Sequence, residues 1–271
     1  MRKKITDNDY QLPEVYAQRV NDNFPNSANK PILISGIEKS TNQKGDYVVK
    51  FRKAETMSEE ASMRELLASF IAMQMELPVV EPVIVNIDKN FLEILKGNDS
   101  WAVASKSIGY NYGSKYIKGY STIVLNKYLN NHQLPYAQDA LAFDVFIQNY
   151  DRTNNKPNLL TNGDNIIILD HEKAFGFIFP PFFTANIWEM TEEQKAWIRQ
   201  HCLLPLIKGK QYDFDAFSTK FDNLTVEFWD KAFNLIPDSW RSDQFDSIKN
   251  ILTGISVNRK VFIKELKIIM S

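Results

Sequence analysis

The chain has 271 residues, a formal net charge of -1, 44% hydrophobic residues and 24% charged ones, which is ordinary for a globular enzyme of one large domain or two lobes. The charge argues against a dedicated nucleic-acid binder, which normally carries a clear basic excess, and no direct nucleic-acid binding is expected. With one cysteine, Cys202, no intrachain disulfide forms, and His132, His171 and His201 have no cysteine cluster to join as a zinc site, so a reducing, cytoplasmic setting is expected.

In chain order, the opening M-R-K-K-I-T-D-N-D-Y is basic but leads into no apolar segment. No later stretch is apolar for long enough to cross a bilayer, so no membrane contact is expected. Residues 32–35 and 46–51 read as strands, 59–77 as a helix, and 79–87 and 101–105 as further strands. After Lys106 the pattern turns mostly helical, with 137–148 entering a polar loop. The expected fold class is α+β, with a strand-rich N-terminal lobe over 1–106, a mostly helical C-terminal lobe over 107–271, and a link within 106–120. Past the loop, 175–183 is the most apolar run, and two prolines and a glycine make it a poor helix. Thr191 and Gln194 fit a capping box, and Phe262, Leu266, Ile269 and Met270 share one side of a terminal helix whose other sides are basic.

Strand alternation over 47–51 puts Tyr47, Val49 and Phe51 on one face and Val48 with Lys50 on the other. A lysine so placed is ordinarily a solvated edge residue. In a phosphoryl-transfer enzyme it faces the cleft and bridges the phosphates of ATP. Such a lysine pairs with a helix glutamate, and Glu65, which shares its side of the helix with the small Ala68 and Ala72, is the choice among Glu59, Glu60, Glu65 and Glu76. The segment G-I-E-K-S-T-N-Q-K-G before Lys50 either folds over phosphates or is a plain hairpin connection, and it matches neither glycine-rich phosphate motif.

The densest signal is N-Y-D-R-T-N-N-K-P-N-L-L-T-N-G-D-N-I-I-I-L-D-H-E, from Asn149 to Glu172. Asp151 lies in a polar loop, Asn158 opens a short apolar run, Asn162-Gly163 signals a turn, and four apolar residues lead into Asp170. Phosphoryl transfer needs one Asp to orient or deprotonate the attacking hydroxyl, and an Asn and a second Asp to hold magnesium. Protein kinases place that Asn five residues after the Asp, whereas here Lys156 takes the fifth position and Asn158 the seventh. Each residue also has an ordinary reading, Asp151 as a loop cap and Asp170 as a turn residue. Arg152 either contacts phosphate or pairs with a carboxylate, and His171 reads as a buried or cleft-lining histidine without a catalytic task.

These strings, N-Y-D-R-T-N-N-K-P-N-L-L and I-L-D-H-E-K-A-F, resemble the HipA-like kinases, in particular a compact branch whose loop reads approximately N-x-D-R-x-x-x-N-P-N-L-L; the D-R start is also similar to phosphatidylinositol kinases. The resemblance covers roughly residues 30 to 175, and this chain departs from it in carrying Lys156 where the branch commonly has Asn. It implies a two-lobed protein-kinase-like fold, ATP and magnesium (Mg) as cofactors, and transfer of the gamma phosphate to a hydroxyl, with a protein Ser or Thr preferred. It assigns Asp151 as catalytic, Lys50 and Glu65 to the nucleotide, and Asp170 with Asn158 to the metal, Asn155 being the alternative for the last. It further implies a growth-arresting toxin held by an antitoxin partner, self-phosphorylation at Ser35 or Ser40, and adenine bound by backbone near 104–108. Two other readings stay open: a small-molecule or lipid phosphotransferase using the same site, and a nucleotide-binding interaction module with little transfer activity.

Overall fold

In a computed structural model, described over residues 3–25, 27, 29–125, 128–179 and 186–271, alternating side chains organise the N-terminal part around a barrel. β1 (Glu14–Asn23), β2 (Ile32–Glu38) and β3 (Lys44–Lys50) pair antiparallel in succession. β5 (Gly109–Lys115) pairs antiparallel with both β3 and β4 (Pro82–Ile87). Glu14, Val15 and Tyr16 of β1 run parallel to Ile84, Val85 and Asn86 of β4, which closes the order β1-β2-β3-β5-β4. Val15, Ile32, Ile34, Tyr47, Val49, Phe51, Val83, Val85 and Ile87 fill the interior.

The mixed α+β character, strand-rich first and helical later, matches the sequence reading; the closure of the sheet was not part of it. β1 and β5 escaped notice for identifiable reasons. Two register shifts, between Ala17 and Arg19 and between Val20 and Asp22, break the alternation of β1. β5, G-Y-N-Y-G-S-K, is built of residues more typical of turns. It lies past residue 106, so the barrel runs on to Lys115 and the chain leaves it through residues 116–120.

The strand expected over 101–105 is instead a short helix. α2 (Lys89–Ile94) and α3 (Trp101–Ser105) pack Phe91 and Ala104 against the barrel interior. Five residues rich in alanine satisfy their backbone locally, Trp101 N donating to Asn98 O and Ala104 N to Ser100 O. A run this short has no periodicity that separates strand from helix.

α1 (Glu59–Gln74) begins at Ser58, whose hydroxyl accepts from Ala61 N, and is buried along nearly its whole length. It joins a second, larger core with α4 (Gln133–Ile147) and the later helices α5 (Glu192–Arg199), α6 (Leu204–Ile207), α7 (Phe214–Thr219), α8 (Val226–Leu235), α9 (Gln244–Val257) and α10 (Arg259–Met270). Phe146 of α4 stacks on Phe221 at 4.4 Å between ring centroids. The Thr191–Gln194 capping box forms, and Phe262, Leu266, Ile269 and Met270 of α10 are buried, so its apolar side packs on the protein. Of the run 175–183, Phe175 and Phe177 are buried, and 180–185 lie outside the described residues. A small sheet of β6 (Ser121–Thr122), β7 (Leu159–Thr161) and β8 (Ile166–Ile168) sits where the barrel meets the helices, Val79 bridging to Ile168. Among the described residues no helix is long and apolar enough to cross a membrane.

Barrel closure leaves no space at Gly113, where a Cβ would lie 2.6 Å from Val85 Cγ2 and 3.2 Å from Val48 O. Gly113→Ala is therefore expected to cost about 1–3 kcal/mol, read as a lower urea midpoint. An unchanged midpoint would contradict the tight packing of β5 between β3 and β4.

Candidate active site

Alternation along β3 turns Val48 and Lys50 out of the barrel and into a cleft of about 410 Å³ between barrel and helices. The Lys50 ammonium donates to three carboxylates there: Glu65 Oε2 at 3.0 Å, Asp170 Oδ1 at 2.6 Å and Glu172 Oε2 at 3.1 Å. Glu65 comes from the buried middle of α1, Asp170 and Glu172 from the chain after β8. Burial works against the charge on Lys50, but Asp170, Glu65 and Glu172 hold its pKa well above the usual lysine value. Three carboxylates around one cation leave excess negative charge, and burial, which Lys50 only partly offsets, pushes Glu65 up to about 7. Asp170 is only half-buried; desolvation works against its charge too, yet its contact with Lys50 keeps its pKa below the ordinary range.

Beneath the cleft, a second buried charge fixes the loop geometry. Arg152 is 1% exposed and Asp144, on α4, is fully buried. The guanidinium grips Asp144 through Nε and, at 3.1 Å, through Nη2. Its Nη1 donates to the carbonyls of Pro157, Asn158 and Leu169, so one cation pins the loop before β7 and the end of β8 together. Asp144 also accepts from Asn149 Nδ2 at 3.0 Å, and His201 Nε2 lies 3.0 Å from it. Burial would neutralise Asp144, but Arg152 and then His201 hold its pKa far below the carboxylate range. Of the two readings of Arg152, the carboxylate pair is the one that forms. His171 is buried beside it, Nε2 3.4 Å from Arg152 Nη2; burial and that guanidinium push it down to about 3, so the ring is neutral.

The pinned segments carry Asn158 and Asp170 in left-handed conformations, φ 47° and 65°, which Asn and Asp tolerate better than most residues. Both line the cleft, as do Asp151 and the alternative Asn155. The Asn158 Nδ2 is buried without a hydrogen-bond partner among the described residues, which leaves its amide unanchored beside Asp170. Its oxygen and the Asp170 carboxylate are the hard donors a divalent cation takes. Glu65, Asp170 and Glu172 also offer oxygens within 4.8 Å of one another, but the Lys50 ammonium already bonds to all three. Asp151 faces two lysines, Lys173 Nζ at 3.4 Å and Lys156 Nζ at 3.8 Å. All five residues expected at the site, Lys50, Glu65, Asp151, Asn158 and Asp170, are thus brought to one cleft.

Other candidate residues and segments lie away from the cleft. The 36–45 segment is the hairpin end of β2 and β3 with the turn between them, at the opposite end of β3 from Lys50; the cleft is lined instead by Phe24, Ser27, Asn29 and Pro31 of the link between β1 and β2. Missing β1 shifted the assignment by one hairpin. Ser35 donates to Asp46 at 2.9 Å and Ser40 to Glu38 at 2.8 Å, and neither lines the cleft. Ala104 belongs to the barrel core, and the lining after β4 comes from Ser114, Lys115, Tyr116 and Ile117 rather than 104–108. Glu172 and Asn29 had no assigned role; Glu172 closes the Asn149 to Glu172 string two residues past Asp170, while Asn29 carried no local signal.

The raised pKa of Glu65 has a thermodynamic consequence. Because the folded pKa of Glu65, about 7, lies above its ordinary 4.5, the folded chain keeps a proton that the unfolded chain has lost between those values. That contribution is complete below pH 4.5 and disappears as the pH rises through 7. From pH 5 to pH 8 the wild type is expected to lose roughly 1–3 kcal/mol more stability than Glu65→Gln. Parallel stability profiles by urea denaturation would contradict it.

The profile of the HipA-like kinase family matches residues 39–262. No curated protein matches the chain. Among solved structures, a Helicobacter pylori proinflammatory kinase, CtkA, is similar over 94% of this chain and 97% of its own at 14% identity, with a TM-score of 0.49. The family match spans the β3 lysine, the α1 glutamate and the whole loop from Asp151 to Asp170, and by it the chain belongs to the HipA-like kinases.

Proposed function

We propose that the chain is an ATP- and magnesium-dependent phosphotransferase of two-lobed, protein-kinase-like fold that passes the gamma phosphate to a hydroxyl. The observation that carries this reading is the convergence of Lys50, Glu65 and Asp170 with Asn158 and Asp151 on one cleft. Glu65 holds Lys50, and Lys50 orients the alpha and beta phosphates. Asn158 and Asp170 hold magnesium, which when bound neutralises phosphate oxygens during transfer. Asp151 accepts the proton of the attacking hydroxyl as ADP leaves. Val80, Leu159 and Leu169, with the backbone of the link after β5, line the cleft with apolar walls that would suit adenine.

Family membership supports a protein Ser or Thr as the preferred acceptor and, with it, the reading of a toxin restrained by an antitoxin. A second reading has its own support. Lys156 and Lys173 both engage Asp151, and a base occupied in this way suits a nucleotide-binding module with little turnover.

Incubation with gamma-labelled ATP and magnesium, followed by phosphosite mapping, separates the two. On the kinase reading, Asp151→Asn and Asp170→Asn each lower transfer about 100-fold or more while circular dichroism shows the fold retained. ATP binding without transfer in the wild type favours the module. Full activity in either variant would refute the assigned roles.

A further inference from the structure

Glu172 lies beside the site but has no part in the chemistry above, and it is almost fully buried at 5% exposed. Its carboxylate accepts from Asn29 Nδ2 at 2.8 Å on each oxygen. Thr56 Oγ1 lies 2.8 Å from Oε1, and Lys50 Nζ reaches Oε2 at 3.1 Å. Asn29, itself 6% exposed, uses its Oδ1 to accept from Thr56 N at 3.0 Å, so both ends of its amide are engaged. Arg64 Nε donates to the Glu172 carbonyl at 3.2 Å, fixing the backbone behind the carboxylate.

These contacts join parts far apart in sequence. Asn29 is 143 residues from Glu172 and belongs to the link between β1 and β2, the segment that lines the cleft beside Lys50. A buried carboxylate needs its lone pairs satisfied, and without Asn29 and Thr56 it would draw harder on the Lys50 ammonium. We propose that Asn29 and Glu172 are positioning residues that together fix the Asn29 end of the link between β1 and β2 beside the nucleotide phosphates and hold the Lys50 ammonium where it meets them. This inference rests on the kinase reading and adds a residue pair to it. Asn29 sets where the link sits; Glu172 ties that position to the cation that the phosphates must reach.

Exchanging the polarity of the pair tests it. Asn29→Asp sets two carboxylates against each other and is expected to raise the KM for ATP about tenfold at pH 8, with kcat within about threefold. Adding Glu172→Gln supplies an amide donor to the new carboxylate, and the double variant should recover at least about threefold of that loss. Amide exchange without nucleotide gives an independent readout: Asn29→Asp should speed exchange of the link between β1 and β2 about tenfold and leave β3 unchanged. A wild-type KM in Asn29→Asp, or a double variant recovering less than about threefold, would overturn the positioning role alone. A wild type that neither binds nor consumes ATP, with the exchange result as expected, would overturn the kinase reading and the positioning role with it.

Discussion

One ammonium group joins the three parts of the molecule that have to meet. Lys50 hangs from the barrel, Glu65 from α1, and Asp170 and Glu172 from the chain that leaves the small sheet. Their partial burial makes the cluster all-or-none in character. Three carboxylates cannot stay ionised there without the cation, and the cation would be costly there without them. Burial, reinforced by the neighbouring Asp170 and Glu172, is what raises Glu65, and that surplus of negative charge is what a divalent ion with a triphosphate would rearrange. Asp170 holds the shortest of the three contacts with Lys50, so loading the site means exchanging an ion pair for a metal contact at the same carboxylate.

A second buried cation keeps the opposite wall in place. Arg152 spends its donors on Asp144 and on three carbonyls of the Asn158 and Asp170 segments. Breaking such a buried pair from one side costs about 3–5 kcal/mol, far more than a surface contact. The left-handed backbone at Asn158 and Asp170 is therefore held from below, where both residues line the cleft and Asp170 meets Lys50. Chemistry and support are neighbours in sequence: Asp151 faces the cleft while Arg152 faces the core.

Much of this was legible because phosphoryl transfer confines a few residue types to tight local patterns. The Asn149 to Glu172 string named Asp151, Asn158 and Asp170, and simple alternation gave Lys50. Glu65 followed from two alanines on its side of α1. What the chain hid was long-range. The bulges of β1 erased its alternation, and with it the identity of the link that lines the cleft. The residues of β5 look like turn formers until β3 and β4 flank them. Whether Arg152 would meet a phosphate or Asp144 depended on a helix that ends four residues before Asp151, and no local pattern shows which way α4 points its acid.

The most direct measurement is a crystal structure with magnesium and a non-hydrolysable ATP analogue. The account predicts the ion on Asn158 and Asp170, the Lys50 ammonium on the alpha and beta phosphates with Glu65 still its partner, and Asp151 nearest the gamma phosphate. A nucleotide seated elsewhere, or an ion held without Asn158 and Asp170, would contradict it.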